Sequence, residues 1–104
     1  MKAIVDGLRY DTEKAELVGE CETPGMGRSD FKYWSAGLYK TKSGRFFLAG
    51  EGHALTRFAA HTGEGASWGE NLIPMGTDEA LSWAEDFLDV ETIEAVFSDH
   101  IEEA

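Results

Sequence analysis

Several sets of side chains in this sequence are of types that do chemistry. Glu51, His53 and His61 carry the carboxylate and imidazole donors that suit zinc or iron. His53 and His61 are eight positions apart, which is neither the i, i+4 pair of one helix face nor a finger spacing, so surface histidines are the simpler reading and no metal is assigned. Gly65-Ala66-Ser67-Trp68-Gly69 satisfies the G-x-S-x-G pattern of a hydrolase nucleophile elbow. That elbow needs a buried strand before the serine and a helix after it. Neither is legible around Ser67, although His100 and several aspartates follow in the right order, and the match reads as a coincidence of a glycine-rich loop. Gly25-Met26-Gly27 and Gly50-Glu51-Gly52 extend to neither a dinucleotide nor a phosphate-loop pattern, and Cys21, the one cysteine, has no CxxC partner. No catalytic residue and no cofactor is assigned. A small metal-dependent or hydrolytic enzyme built on the glycine-rich loop and its histidines stands as the alternative.

Two further sets suit binding. Arg28, Lys32, Lys40, Lys42 and Arg45 alternate with Phe31, Tyr33, Trp34, Tyr39 and Phe46, a mixture that stacks bases and pairs phosphates in proteins that hold single strands. The chain as a whole carries −11, from 9 Lys and Arg against 20 Asp and Glu, and repels a polyanion at long range. Direct nucleic-acid binding is therefore not expected; the aromatics read as core and the lysines as the solvated face of a hairpin. The other set is acidic. Arg57 is the last basic residue, and 12 carboxylates follow it, ten of them in the final 27 residues. Asp78, Glu79, Glu85, Asp86, Glu91, Glu94, Asp99 and Glu102 are the candidate partner-binding residues. Like charges at helical spacing destabilise a helix by a few tenths of a kcal/mol per pair. A rigid array of carboxylates competes for a surface built to hold phosphates, which occur at about one charge per 1.7 Å of duplex. Solubility alone accounts for the same charge.

The elements that position these residues are legible from pattern. Asp6-Gly7 suits a tight turn between the apolar runs Ala3 to Val5 and Leu8 to Tyr10. Asp11-Thr12 offers a cap for a single helical turn, Glu16 to Glu22 alternates as a strand, and Thr23 to Asp30 is a loop. The residues flanking Thr41-Lys42-Ser43-Gly44 form a hairpin that pairs Tyr39 with Phe47 and Leu38 with Leu48, with Gly44 in the left-handed position. Phe46-Phe47-Leu48-Ala49 is too apolar for a strand with one wet face, so both of its faces are covered. Gly50 to Gly76 is glycine-rich, with one helix-compatible run from Ala54 to His61, and Leu72 to Met75 adds a last strand that Pro74 places at an edge or cuts short. Thr77 is the expected N-cap of an amphipathic helix that buries Ala80, Leu81, Trp83, Ala84, Phe87 and Leu88. Asp89 caps a second, whose buried stripe is Val90, Ile93, Val96, Phe97 and Ile101. Strands followed by helices predict an α+β domain over residues 1–104, a small antiparallel sheet packed by a C-terminal helical hairpin.

The class is bounded by size and composition. At 104 residues with 42% hydrophobic side chains, the chain is expected to fold around one core, and no apolar run approaches the roughly 20 residues of a membrane span. Charge and a turn interrupt the opening residues before an export signal forms, and one cysteine builds no disulfide framework, so a cytoplasmic setting is expected.

Tyr10-Asp11-Thr12-Glu13-Lys14-Ala15, the stretch from Leu38 to Gly52, Trp68, Ile73-Pro74 and Glu79-Ala80-Leu81-Ser82-Trp83-Ala84-Glu85 together resemble a group of small hypothetical proteins encoded in bacterial phage and mobile-element regions. Taken with the charge, the resemblance implies the class of anti-CRISPR and other anti-defence inhibitors, some of which are nucleic-acid mimics. The expected function is that of a non-enzymatic acidic interaction module or inhibitor, and its expected partner is a protein with a basic surface, such as a nucleic-acid-binding complex.

Overall fold

In the computed structural model, which describes Met1–Ala104, Asp6 and Gly7 both take positive φ, 53° and 77°. That is the geometry of a two-residue turn whose twist matches its strands. It joins β1 (Lys2–Val5) to β2 (Leu8–Asp11), paired Lys2 to Asp11 through Val5 to Leu8. The Asp11 side chain then accepts the Glu13 N–H at 2.9 Å, and its carbonyl accepts from Lys14 and Ala15, closing the expected turn before the next strand.

The main sheet is antiparallel with four strands in the order β3 (Glu16–Glu22), β4 (Trp34–Lys40), β5 (Phe46–Gly52), β8 (Gly69–Met75). Tyr39 pairs with Phe47 and Leu38 with Leu48, as the hairpin pattern requires. Gly44 has φ 90°, its N–H donating to the Thr41 carbonyl at 2.9 Å. β8 is an edge strand with Pro74 opposite Phe47, and it begins three residues before the apolar run that marked it. Pairing shifts between Leu17 and Gly19, which leaves Val18 as a bulge in the other edge strand.

Both faces of the sheet are covered, so β5 is buried from Phe46 to Ala49. Strand alternation sends Phe46 and Leu48 to a core shared with Ala36, Leu38, Met75 and the helices, and Phe47 and Ala49 to a second cluster with Tyr10 and Leu72. Phe97 is fully buried and stacks on Phe46 at 5.0 Å, while Tyr10 meets Phe47 edge-on at 5.5 Å. The helices therefore cover one side and the β1–β2 hairpin the other. Gly50 is required by the close fit of neighbouring strands: a Cβ there would lie 2.5 Å from the Ser35 carbonyl oxygen.

Three expectations are corrected. Ala54 to His61 is not helical: it makes turns and then enters a short hairpin of β6 (Ala60–Thr62) and β7 (Gly65–Ser67). The glycines around it suit that path, since a Cβ on Gly69 would fall 2.4 Å from the Ala60 nitrogen. The N-cap of α1 (Thr77–Phe87) is Gly76 rather than Thr77, and the Glu79 carboxylate accepts the Gly76 N–H at 3.1 Å. Finally, α2 (Val90–Phe97) ends at Phe97 in a 3-10 turn, Ser98–His100, so the expected stripe breaks up at both ends: Phe97 is buried, Ile93 and Val96 are half-buried, and Val90 and Ile101 are exposed. Asp89 caps α2 as expected, accepting the Thr92 N–H at 2.8 Å.

Candidate interaction surface

The acidic residues reach the surface because of how the helices pack. In α1, Ala80, Trp83 and Ala84 face the core, while Asp78, Glu79, Ser82, Glu85 and Asp86 are left outside. Asp78, Glu79, Glu85, Asp86, Glu91, Glu94, Asp99 and Glu102 are all exposed, as are Asp89 and Glu103. None of them forms an ion pair; the one salt bridge in the molecule joins Arg28 and Glu51 at 3.5 Å. Neither helix carries a basic residue in its last turn, so the helix dipoles are not offset there either.

The fold divides the eight candidates into groups. Asp78, Glu79 and Asp86 flank a groove with Arg57, Trp83 and Phe87, in which Asp78, Ser82 and Asp86 follow one another at four-residue intervals along α1. Glu85, Glu94 and Glu102 come together around a second groove, between α1, α2 and the tail. The chain leaves helical geometry before Glu102, so its place beside Glu94 comes from the 3-10 turn and tail, not from helix periodicity. Glu91 and Asp99 line neither groove. Asp89 is held below its ordinary value by hydrogen bonds from Thr92, the side chain first and the backbone second, against a small opposing effect of burial.

The residues of the alternative reading lie apart in role. Glu51, on β5, is paired with Arg28. His53 Nδ1 accepts the Ala54 N–H at 2.8 Å, which leaves the ring proton to Nε2 in the neutral form. His61 and Ser67 sit on the exposed β6–β7 hairpin, opposite Ala66 and Ala60. Ser67 thus lies inside a strand ladder and not at a strand-to-helix turn. No three His, Cys, Asp or Glu side chains converge in a way that would hold a metal ion. Cys21 is half-buried, its thiol directed to the Glu22 carbonyl at 3.1 Å.

The basic and aromatic mixture separates as its types suggest except at Phe31, which is 59% exposed and not part of the core. Phe46 is buried and Trp34 and Tyr39 pack against the two core clusters. What the pattern did not reveal is a cluster at the other end of the sheet. The Arg28 guanidinium lies 4.7 Å from the Trp68 ring and 5.6 Å from that of Tyr33, and these two rings stack at 6.0 Å. His53 meets Trp68 edge-on at 5.8 Å and Phe31 at 4.8 Å. The Tyr33 hydroxyl donates to Glu22 at 2.7 Å. That hydrogen bond, with burial and the Glu22 charge, raises the phenol above its ordinary value, while Arg28 opposes the shift. Six residues from four separate segments build this cluster, and no local spacing announces it.

Comparison with known proteins adds no relative: no family model matches the chain, and neither a curated protein nor a solved structure is found to be similar. No helix is long and apolar enough to cross a membrane.

Proposed function

We propose that this protein is a non-enzymatic interaction module that acts in the cytoplasm, presenting its acidic helical layer to a basic surface of a protein partner. The setting proposed is a phage or mobile element, and the role that of an inhibitor, of anti-CRISPR or related anti-defence type, which occupies a surface built for nucleic acid. One observation carries the reading: ten carboxylates on or beside two helices are exposed, and not one is paired with a Lys or Arg of its own chain. Carboxylates with no cationic partner in their own chain leave their charge to a partner, steer it at long range and exclude partners of the same sign.

The test is a pull-down from host lysate at low and high salt, with a Glu91→Gln, Glu94→Gln, Glu102→Gln variant as control. The expected result is a nucleic-acid-binding protein retained at low salt by the native chain, released by salt or by added nucleic acid, and retained poorly by the folded variant. A complex indifferent to salt and to the three substitutions overturns the reading.

A further inference from the structure

We propose that the groove between the end of α1, α2 and the C-terminal tail docks an amphipathic basic segment of the partner, which seats an aliphatic side chain in the groove and directs Lys or Arg to its rim. This deepens the function proposed above and rests on it.

The groove is the one place in the acidic layer where exposed aliphatic side chains gather. Val90 is 68% exposed and Ile101 44%, and both line a depression of about 340 Å³ with the half-buried Leu81 and Ile93. Helical spacing would bury Val90 and Ile101 with Ile93 and Phe97; instead Val90, at the first position of α2, and Ile101, beyond the turn that follows Phe97, are both left in water. Exposing two aliphatic side chains forgoes the stabilisation that burial brings, and a partner that covers them recovers it.

The rim selects the occupant. Glu85, Glu94 and Glu102 border the groove beside a single basic side chain, His100, and no Lys or Arg lines it. A neutral or acidic segment lying there would desolvate carboxylates without pairing them, which is strongly unfavourable. A second copy of the chain, related by a two-fold axis, would bring two such rims, each with three glutamates and no Lys or Arg, into one interface. Anionic membrane surfaces are repelled for the same reason. A helix with one apolar stripe and Lys or Arg beside it satisfies both parts of the groove at once. Carboxylates alone would make the complex depend on salt only. With an aliphatic anchor, part of the affinity persists when charges are screened.

The test uses synthetic peptides and the intact protein. One peptide contains only Leu and Lys, with leucines recurring at i, i+3, i+4 and i+7 so that a helix presents one apolar stripe. The other has the same composition with the stripe scrambled. Binding is measured by calorimetry at low and high salt for the native protein, a Val90→Ser, Ile101→Ser variant, and the triple Gln variant, each first shown to be folded by circular dichroism. Both serine substitutions are at exposed positions, so folding is expected to survive them. The expected result is tighter binding of the striped peptide and a loss of at least roughly tenfold in the serine variant at both salt concentrations, as the removal of two partly covered aliphatic side chains gives. Equal binding of both peptides, weakened only by the Gln substitutions, overturns the groove and leaves the acidic-face reading standing. Binding of neither peptide at low salt overturns both. Self-association of the native protein that the serine substitutions abolish assigns the groove to a second copy and overturns the proposal.

Discussion

Single side chains in this fold serve one of two ends, holding the layers together or fixing where an element starts. Phe97 belongs to the first kind. It is the one fully buried residue of α2 and stacks on Phe46, so it ties the second helix to the sheet. Phe97→Ala is expected to lower stability by about 3–5 kcal/mol, a large share of the roughly 5–15 kcal/mol of a small domain. Urea denaturation measures this, and a change within experimental error would mean that α2 is not docked as described. Asp89 belongs to the second kind. Its carboxyl is held below the ordinary value of 3.8 by Thr92, so the unfolded chain takes up the proton first as pH falls. The cap's contribution is whole above that value and is lost as pH drops through it toward the lowered folded value. Thermal denaturation between about pH 2 and pH 6 should therefore show a steeper fall in the native protein than in Asp89→Asn, which keeps an acceptor oxygen that does not titrate. Parallel curves for the two proteins would show that the cap is not coupled to folding.

At the scale of elements, legibility followed how much of each element's environment is local. The Asp6-Gly7 hairpin, the Thr41 to Gly44 turn and the Tyr39 with Phe47 register were all readable, because turn geometry dictates pairing over a few residues. The apolar run from Phe46 to Ala49 correctly implied cover on both faces, since no strand with a wet face carries four such residues in succession. The Gly50 to Gly76 region misled in one respect. Ala54 to His61 has helix-compatible composition, but Thr56 packs against Gly52 and the backbone of Phe58 to Ala60 packs against Gly69, so tertiary contacts impose a path of turns that leads into β6. The shift of the α1 cap from Thr77 to Gly76 has a similar cause. The Glu79 carboxylate reaches the Gly76 N–H, and strand β8 ends immediately before it, at Met75. The early stop of α2 at Phe97 was not readable either, because Val90 and Ile101 carry the same side-chain types as the residues that are buried.

For the whole molecule, the uneven distribution of charge along the chain becomes an uneven distribution in space. The layer from Thr77 to His100 contains no Lys or Arg and covers one face of the sheet, while Lys2 and Arg9 lie on the hairpin that covers the other. The acidic layer therefore repels itself within one small volume. The triple Gln variant is expected to melt at a higher temperature than the native protein in low salt, with the difference shrinking as ionic strength passes about 0.1 M, where the screening length is about 10 Å. Melting followed by circular dichroism measures it. A variant less stable than the native protein at low salt would mean that these carboxylates make stabilising contacts within the chain.

The sequence by itself determined the α+β composition, the central hairpin and its register, the cap of the second helix, and the existence of an acidic C-terminal layer without basic residues. These depend on side-chain type, periodicity and turn chemistry within a few neighbouring positions. Only the tertiary structure decided how that layer is divided. It gathered Glu85, Glu94 and Glu102 around Val90 and Ile101, left Glu91 and Asp99 outside both grooves, and brought Arg28, Tyr33, His53 and Trp68 into one cluster. The physical reason is that such groupings depend on where distant segments of the chain cross. Crossing points are set by the packing of whole layers, which no local spacing encodes.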